Sequence, residues 1–265
     1  MSLAIAPLTL GAAPPATLVE AADTGGFRQV GLRFVAPAAD APAALLVPSA
    51  EEMRATELAL DAAGVSVLEI EAVWLRPGSD VAALRPALEA GARLGVRILV
   101  ASGDDAEPAR LADRVSALVA LSGGFGLRVA LEFLPYAAVA DLPRAAALAA
   151  CCGAGLTIDA LQLARSGGCP ADVAALDNRL ILHAQICDAA ATAPPFAQLQ
   201  PEALGGRLFP GEGALPLRAF CAALRPELTL SLKAPRAVDA GLSPAARAQI
   251  AMRALRGWSA EGERP

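Results

Sequence analysis

Four polar side chains draw attention because each closes, or nearly closes, a short apolar run. They are Glu132 in Val129-Ala-Leu-Glu-Phe133, Asp159 in Gly155-Leu-Thr-Ile-Asp159, Gln185 in His183-Ala-Gln-Ile186 and Lys233 in Leu230-Ser-Leu-Lys233. Two carboxylates, an amide and an amine brought to one place either do catalytic work or neutralise one another as an ion pair, and charge inside an apolar strand needs one of those explanations. Alternation along a strand sets His183 beneath Gln185 and Ser231 beneath Lys233 on the same face. His183 then reads either as a substrate contact from below or as a core histidine. Arg33 lies on an earlier run, and Glu69 and Glu71, two residues apart, share a face opposite Leu68 and Ile70, with Glu71 nearer the strand end. Gln162 and Arg165 are three apart and could share one side of a turn, where Arg165 would meet a carboxylate or phosphate, or solvent. Arg207 opens Arg207-Leu-Phe-Pro-Gly-Glu-Gly213, whose glycines precede a helix expected near Leu215 and could offer free N–H groups to an anion.

Such residues, scattered from Arg33 to Lys233, need a scaffold that returns each strand end to one place. Eight short apolar runs, at 3–8, 29–35, 67–73, 97–101, 128–133, 155–159, 180–186 and 228–233, alternate with Ala/Leu/Arg-rich segments of helical period. That alternation is the signature of a parallel sheet with crossover helices. Eight repeats suggest closure into an α/β (β/α)8 barrel, a single domain over residues 1–265, with an open doubly wound sheet as the alternative. In the barrel, active sites gather at the C-terminal rim of the strands, where the four polar residues fall. Helix signals agree: Ser49 before Glu51 and Glu52, Asp104 and Asp105 before a helix ending near Gly123 and Gly124, and Asp141 before Pro143. Residues 189–210, with four prolines and two glycines, are expected to form a long functional loop after the seventh strand.

Composition narrows the function. The chain has 265 residues, 55% of them hydrophobic and 18% charged, a balance that fits a large packed core and excludes disorder. Its net charge of −5 provides no global positive field, so nucleic acid is not an expected partner. No apolar stretch reaches the roughly 20 residues of a membrane span, and the first ten residues read as a buried strand rather than a signal peptide; the expected location is cytoplasmic. The five cysteines are odd in number, lack C-x-x-C spacing and read as reduced core residues. With one histidine the chain cannot build a three-histidine zinc site, and a Ser-His-Asp triad would have to use the inward His183. It has no G-x-S-x-G, no P-loop and no G-x-G-x-x-G after the first strand.

Taken together, Val129-Ala-Leu-Glu-Phe133, Gly155-Leu-Thr-Ile-Asp-Ala160 with Ala164-Arg-Ser-Gly-Gly168, Gln185-Ile-Cys-Asp-Ala189 and Phe209-Pro-Gly-Glu-Gly213 resemble the xylose isomerase-like TIM barrel superfamily, the sugar phosphate isomerase/epimerase group. The resemblance spans nearly the whole chain. It implies a divalent metal, manganese or magnesium, held at the ends of four strands, with Glu132 as first ligand and acid/base, Asp159 as second ligand and Gln185 in the place of the third. At the fourth place this chain departs: Leu232-Lys-Ala-Pro235 puts Lys233 where relatives carry a carboxylate that is both ligand and base. Gln162 likewise stands where many relatives carry a substrate-contacting histidine.

An ammonium repels a dication and attracts Glu132 and Asp159, which leaves three outcomes for Lys233. It could be a desolvated neutral base or Schiff-base amine; it could swing away from a three-ligand metal site; or it could lock a salt bridge and leave a noncatalytic, metal-free carbohydrate-binding barrel. The resemblance implies proton abstraction next to the carbonyl of a small polyhydroxylated keto compound, sugar-like or cyclitol-like. Isomerisation, epimerisation and an inosose- or dehydroshikimate-type dehydration all begin in that way. Glu71, Gln162, Arg165, His183 and Arg207 are the expected substrate contacts, and pairing with a second copy of the chain is open.

Overall fold

The computed structural model of the protein describes residues 2–36 and 45–261. Eight strands close into an all-parallel barrel in chain order: β1 (Leu3–Ile5), β2 (Gln29–Leu32), β3 (Ser66–Leu75), β4 (Ile98–Gly103), β5 (Arg128–Leu131), β6 (Gly155–Asp159), β7 (Ile181–Ile186) and β8 (Leu230–Leu232). The helices are α1 (Pro7–Leu10), α2 (Pro15–Gly25), α3 (Ala50–Ala63), α4 (Arg85–Arg93), α5 (Pro108–Gly123), α6 (Leu142–Cys152), α7 (Ala160–Arg165), α8 (Pro170–Ala174), α9 (Phe196–Gly205), α10 (Leu217–Ala222) and α11 (Pro244–Glu261). The closed (β/α)8 barrel expected from the eight runs is the fold, and the open sheet is not. None of the described helices is long and apolar enough to cross a membrane.

Local chemistry explains most boundaries. Ser49 accepts from the Glu52 N–H at 3.2 Å while Glu52 accepts from the Ser49 N–H at 2.8 Å, a reciprocal cap that fixes the start of α3. Asp141 accepts from the Arg144 N–H at 2.9 Å and Pro143 sits in the first turn of α6. Asp104 and Asp105 do not cap α5, which begins at Pro108; Asp105 instead gathers Arg110 and Arg114 at 2.5 and 2.6 Å. The bond from Arg110, helped by the Glu107 N–H against a smaller burial effect, lowers its carboxyl pKa to about 2. Residues 189–210 are not one long loop, because α9 forms within them despite Pro201. Several strands are also shorter than their apolar runs: β1 stops at Ile5 because Pro7 starts a helical turn, and Glu132 and Lys233 lie one residue beyond β5 and β8.

Apolar residues form two layers. The larger packs between strands and helices, with Ile70, Leu99, Leu131, Leu156 and Leu232 facing outward from the sheet. The smaller, Ala4, Leu68, Ile98, Val100, Ala130 and Leu182, plugs the barrel interior. Along β3, β4, β5 and β7 these plug residues precede the polar Glu69, Ser102, Glu132 and His183. In a parallel barrel that order stacks apolar filling below and polar groups toward the C-terminal rim. The five cysteines are free thiols, but Cys151 and Cys169 are exposed, so the expectation of an all-core set is wrong for those two.

Alternation fails in one informative place. Leu68 belongs to the interior plug, yet a Cβ on Gly31 would come within 2.4 Å of Glu69 Oε1, so Glu69 points inward as well. The β2–β3 register shifts between Val30 and Leu32, and an irregularity there turns two successive residues to the same side. Leu68 therefore does not lie opposite Glu69, as strict period-two reasoning requires, while Ile70 does face outward against Gly91.

Candidate active site

The barrel returns Glu132, Asp159, Gln185, Lys233 and Glu71 to one buried cluster. Lys233 Nζ lies at its centre, 2.8 Å from Glu132 Oε1, 2.8 Å from Gln185 Oε1, 3.7 Å from Glu71 Oε1 and 3.9 Å from Asp159 Oδ2. Gln185 bridges two of these partners, since its Nε2 donates to Glu71 Oε1 while its oxygen accepts from Lys233. Strand pairing sets the spacing: Asp159 is opposite Gln185 and Ile186 is opposite Leu232, and the Lys233 N–H donates to the Ile186 carbonyl at 3.0 Å.

Asp159 has a second task. Its Oδ1 accepts from the N–H groups of Leu161 and Gln162 at 2.8 and 3.1 Å, capping α7, and its Oδ2 accepts from Arg207 Nη1 at 2.7 Å. Arg207, 2% exposed, also donates to the carbonyls of Ala203 and Lys233 at 2.9 and 3.2 Å. Three carboxylates, Glu71, Glu132 and Asp159, thus face two cations, Lys233 and Arg207. Burial works against the Lys233 ammonium, but Glu132, Glu71 and Asp159 outweigh it and hold its pKa above the ordinary lysine value. The neutral-amine outcome for Lys233 is therefore the one its surroundings oppose. Burial raises the Glu132 pKa, and the facing Lys233 charge holds the rise in check.

Below this cluster burial favours the neutral forms of the titratable groups. Burial lowers the His183 pKa to about 3, with the Lys233 charge adding to the effect, and its Nδ1 meets Thr157 Oγ1 at 3.2 Å. Burial, with the Glu71 charge, pushes Glu69 well above the carboxylate range. Glu69 Oε2 is 3.9 Å from His183 Nε2, and neither atom has a hydrogen-bond partner. His183 is a core histidine here, outside the cavity over Lys233.

That cavity, of about 60 Å³, is lined by Glu71, Glu132, Gln162, Arg207 and Lys233, with Trp74 and Tyr136 among its walls. The two aromatic rings stack at 6.5 Å between centroids, and Gln162 Nε2 donates to the Tyr136 hydroxyl at 3.4 Å. Neither aromatic was a sequence-derived candidate. The usable signal was position, Trp74 at the end of β3 and Tyr136 just after β5 as the single tyrosine. Arg165 is drawn elsewhere, bonded through Nη2 to Glu202 Oε1 at 2.7 Å and to the Ala190 carbonyl at 2.9 Å. The loop after Arg207 does receive an anion at its N–H groups, but the anion is the protein's own Asp188: its oxygens accept from Gly211 at 3.0 Å and Leu215 at 2.9 Å. Gly213 permits this, because a Cβ there would stand 2.4 Å from Asp188 Oδ1.

No family model matches the chain, and no curated protein does. Solved structures match over nearly its whole length. An IolI protein with a binding zinc atom is 18% identical, with 98% of this chain and 99% of that one covered at a TM-score of 0.78. A xylose isomerase domain protein from Alicyclobacillus acidocaldarius is 20% identical, with 98% of each chain covered at 0.73. The protein has the xylose isomerase-like TIM barrel fold. A D-psicose 3-epimerase determined in the presence of D-fructose shares it too, at 13% identity, with 97% of this chain and 98% of that one covered and a TM-score of 0.72.

This fold family implies a divalent metal, and the donors present decide whether one fits. A hard dication needs carboxylate and amide oxygens directed at it from about 2.0–2.6 Å. Here an ammonium stands among those oxygens, and both oxygens of Asp159 are already bonded to Arg207 and to the start of α7. Among the described residues no group of three His, Cys, Asp or Glu side chains is arranged to hold a metal ion. The donor set of this xylose isomerase-like barrel, as arranged, does not fit a divalent metal.

Proposed function

We propose that the protein is an isomerase or epimerase that removes a proton next to the carbonyl of a small polyhydroxylated keto compound, with Lys233 supplying the positive charge. The observation that carries this reading is the 2.8 Å contact between Lys233 Nζ and Glu132 Oε1 on the wall of the rim cavity. A carboxylate raised by burial yet kept ionisable by an adjacent cation suits proton exchange near neutral pH. Glu132 takes the proton from the carbon beside the carbonyl, and the electron pair moves onto the carbonyl oxygen. Lys233, held as an ammonium, stabilises the enolate oxygen by a charge-assisted hydrogen bond. The hydroxyl on the deprotonated carbon then passes its proton to the former carbonyl oxygen and becomes the new carbonyl, while Glu132 returns its proton to the former carbonyl carbon, which completes an isomerisation on one face. Inversion needs a second group on the other face, for which Glu71 lines the same cavity, and loss of a β-hydroxyl from the same enolate gives the dehydratase variant.

The test is hydrogen exchange in deuterated water, followed by NMR, with a panel of ketoses and cyclitol ketones. The parent should exchange the proton beside the carbonyl of at least one compound, and Glu132→Gln should slow this by about 100- to 10,000-fold. An equally active Glu132→Gln protein would overturn the assignment. The Lys233–Glu132 pair itself favours a second reading, a noncatalytic carbohydrate-binding barrel, and thermal stabilisation by a sugar without exchange would select it. Elemental analysis after manganese exposure and desalting tests the metal-free aspect. Near-stoichiometric manganese that is lost in Asp159→Ala would refute it.

A further inference from the structure

Three buried polar atoms without partners lie on the same cavity. Among the described residues Arg33 Nε, Ser102 Oγ and Gln162 Oε1 bond to nothing, and all three residues line the space over Lys233. They reach it from different parts of the barrel: Arg33 directly follows β2, Ser102 lies in β4, and Gln162 in α7 follows β6. Ser102 and Gln162 are each 1% exposed, so bulk water does not satisfy them. An unbonded buried polar atom is costly, and several on one wall point to a ligand that bonds them.

Their chemistry restricts that ligand. Other arginines around the rim are committed, Arg207 to Asp159 at 2.7 Å, Arg165 to Glu202 at 2.7 Å and Arg236 to Glu212 at 2.9 Å. Arg33 makes no ion pair among the described residues. A guanidinium has only donors and a fixed charge, and the Ser102 hydroxyl provides another donor, a combination suited to an oxyanion. Gln162 Oε1 is an acceptor only, and its amide nitrogen is directed at Tyr136, so the free oxygen calls for a ligand hydroxyl.

We propose that Arg33 and Ser102 bind an anionic end group of the substrate, a carboxylate or a phosphate ester, while Gln162 accepts from a hydroxyl of the same molecule. This names the substrate class for the site described above and rests on that reading for the reacting end; the anion contact is measurable without turnover. Calorimetric titration of the full chain with glycerate, glycerol 3-phosphate and neutral glycerol tests it. At least one anion should bind while glycerol does not, and the tighter of the two tells carboxylate from phosphate. Arg33→Gln should weaken that binding about tenfold or more, with part restored in Arg33→Lys. Equal binding by parent and Arg33→Gln, or no anion bound better than glycerol, overturns the proposal. Melting curves establish that the variants fold; if Arg33→Gln does not, Arg33→Lys decides, since losing the planar fork should still weaken binding measurably. Anion binding without proton exchange would uphold this inference and sink the isomerase reading; exchange without anion binding would do the reverse.

Discussion

The barrel interior holds two polar layers that solve burial in opposite ways. In the upper one Lys233 and Arg207 face Glu71, Glu132 and Asp159, and close contacts keep the charges in place. In the lower one Glu69 and His183 have no charged partner within hydrogen-bond distance, and burial drives each toward its neutral form. Burial raises the pKa of both Glu69 and Glu132, and only Glu132 has a bonded ammonium to restrain the rise. Glu71 and Glu69, two residues apart on β3, differ in their contacts: Lys233 Nζ lies 3.7 Å from Glu71 Oε1, whereas neither Glu69 oxygen has a hydrogen-bond partner.

The comparison breaks most visibly at Lys233. Lys233→Met leaves carboxylates buried without their cation and should cost about 3–5 kcal/mol in urea unfolding at pH 7; a loss near zero would mean the upper layer is not held by charge. Next in size is His183. Its folded pKa of about 3 lies below the unfolded value, so the unfolded chain binds a proton first as pH falls. That removes about 3 kcal/mol of stability between pH 7 and pH 4, a component that should be missing from Asp- and Glu-matched curves of His183→Gln. Smallest is Glu69→Gln, which exchanges one neutral polar group for another and should shift stability by no more than about 1 kcal/mol at pH 4–5. Because the folded Glu69 pKa is raised, its contribution is complete at low pH and is lost as pH rises toward that value. The variant should therefore gain on the parent with increasing pH, and a parallel pair of pH curves would show Glu69 to be ionised throughout.

The sequence made the upper layer more legible than the lower one. Glu132, Asp159, Gln185 and Lys233 stood out because each interrupts an apolar run at a strand end, and the closed barrel follows from counting those runs. Ser102 was hidden because the apolar run of the fourth strand ends at Ala101, whereas hydrogen bonding continues to Gly103. The direction of Leu68 relative to Glu69 was misread because register shifts, unlike alternation, leave no mark in composition. Arg165 and Arg207 looked equivalent as arginines after strands; only the fold shows that one meets Glu202 and the other Asp159. The Gly-rich loop signalled an anion correctly in kind, and the anion turned out to be an internal aspartate 23 residues before Gly211.

Closure of the barrel has a further consequence for when the upper layer comes into being. β8 pairs with β1, Leu230 opposite Leu3, and the Thr9 hydroxyl both donates to the Leu232 carbonyl at 2.9 Å and accepts from the Ala234 N–H at 2.9 Å. The lysine that neutralises the rim therefore rides on the last strand to be synthesised, fastened to the first. Without β8 the layer keeps Arg207 on Asp159, but Glu132 has lost its bonded ammonium and Glu71 the one 3.7 Å away. Closing the ring and placing the rim lysine thus depend on one and the same pairing, held by a contact more than two hundred residues long in sequence.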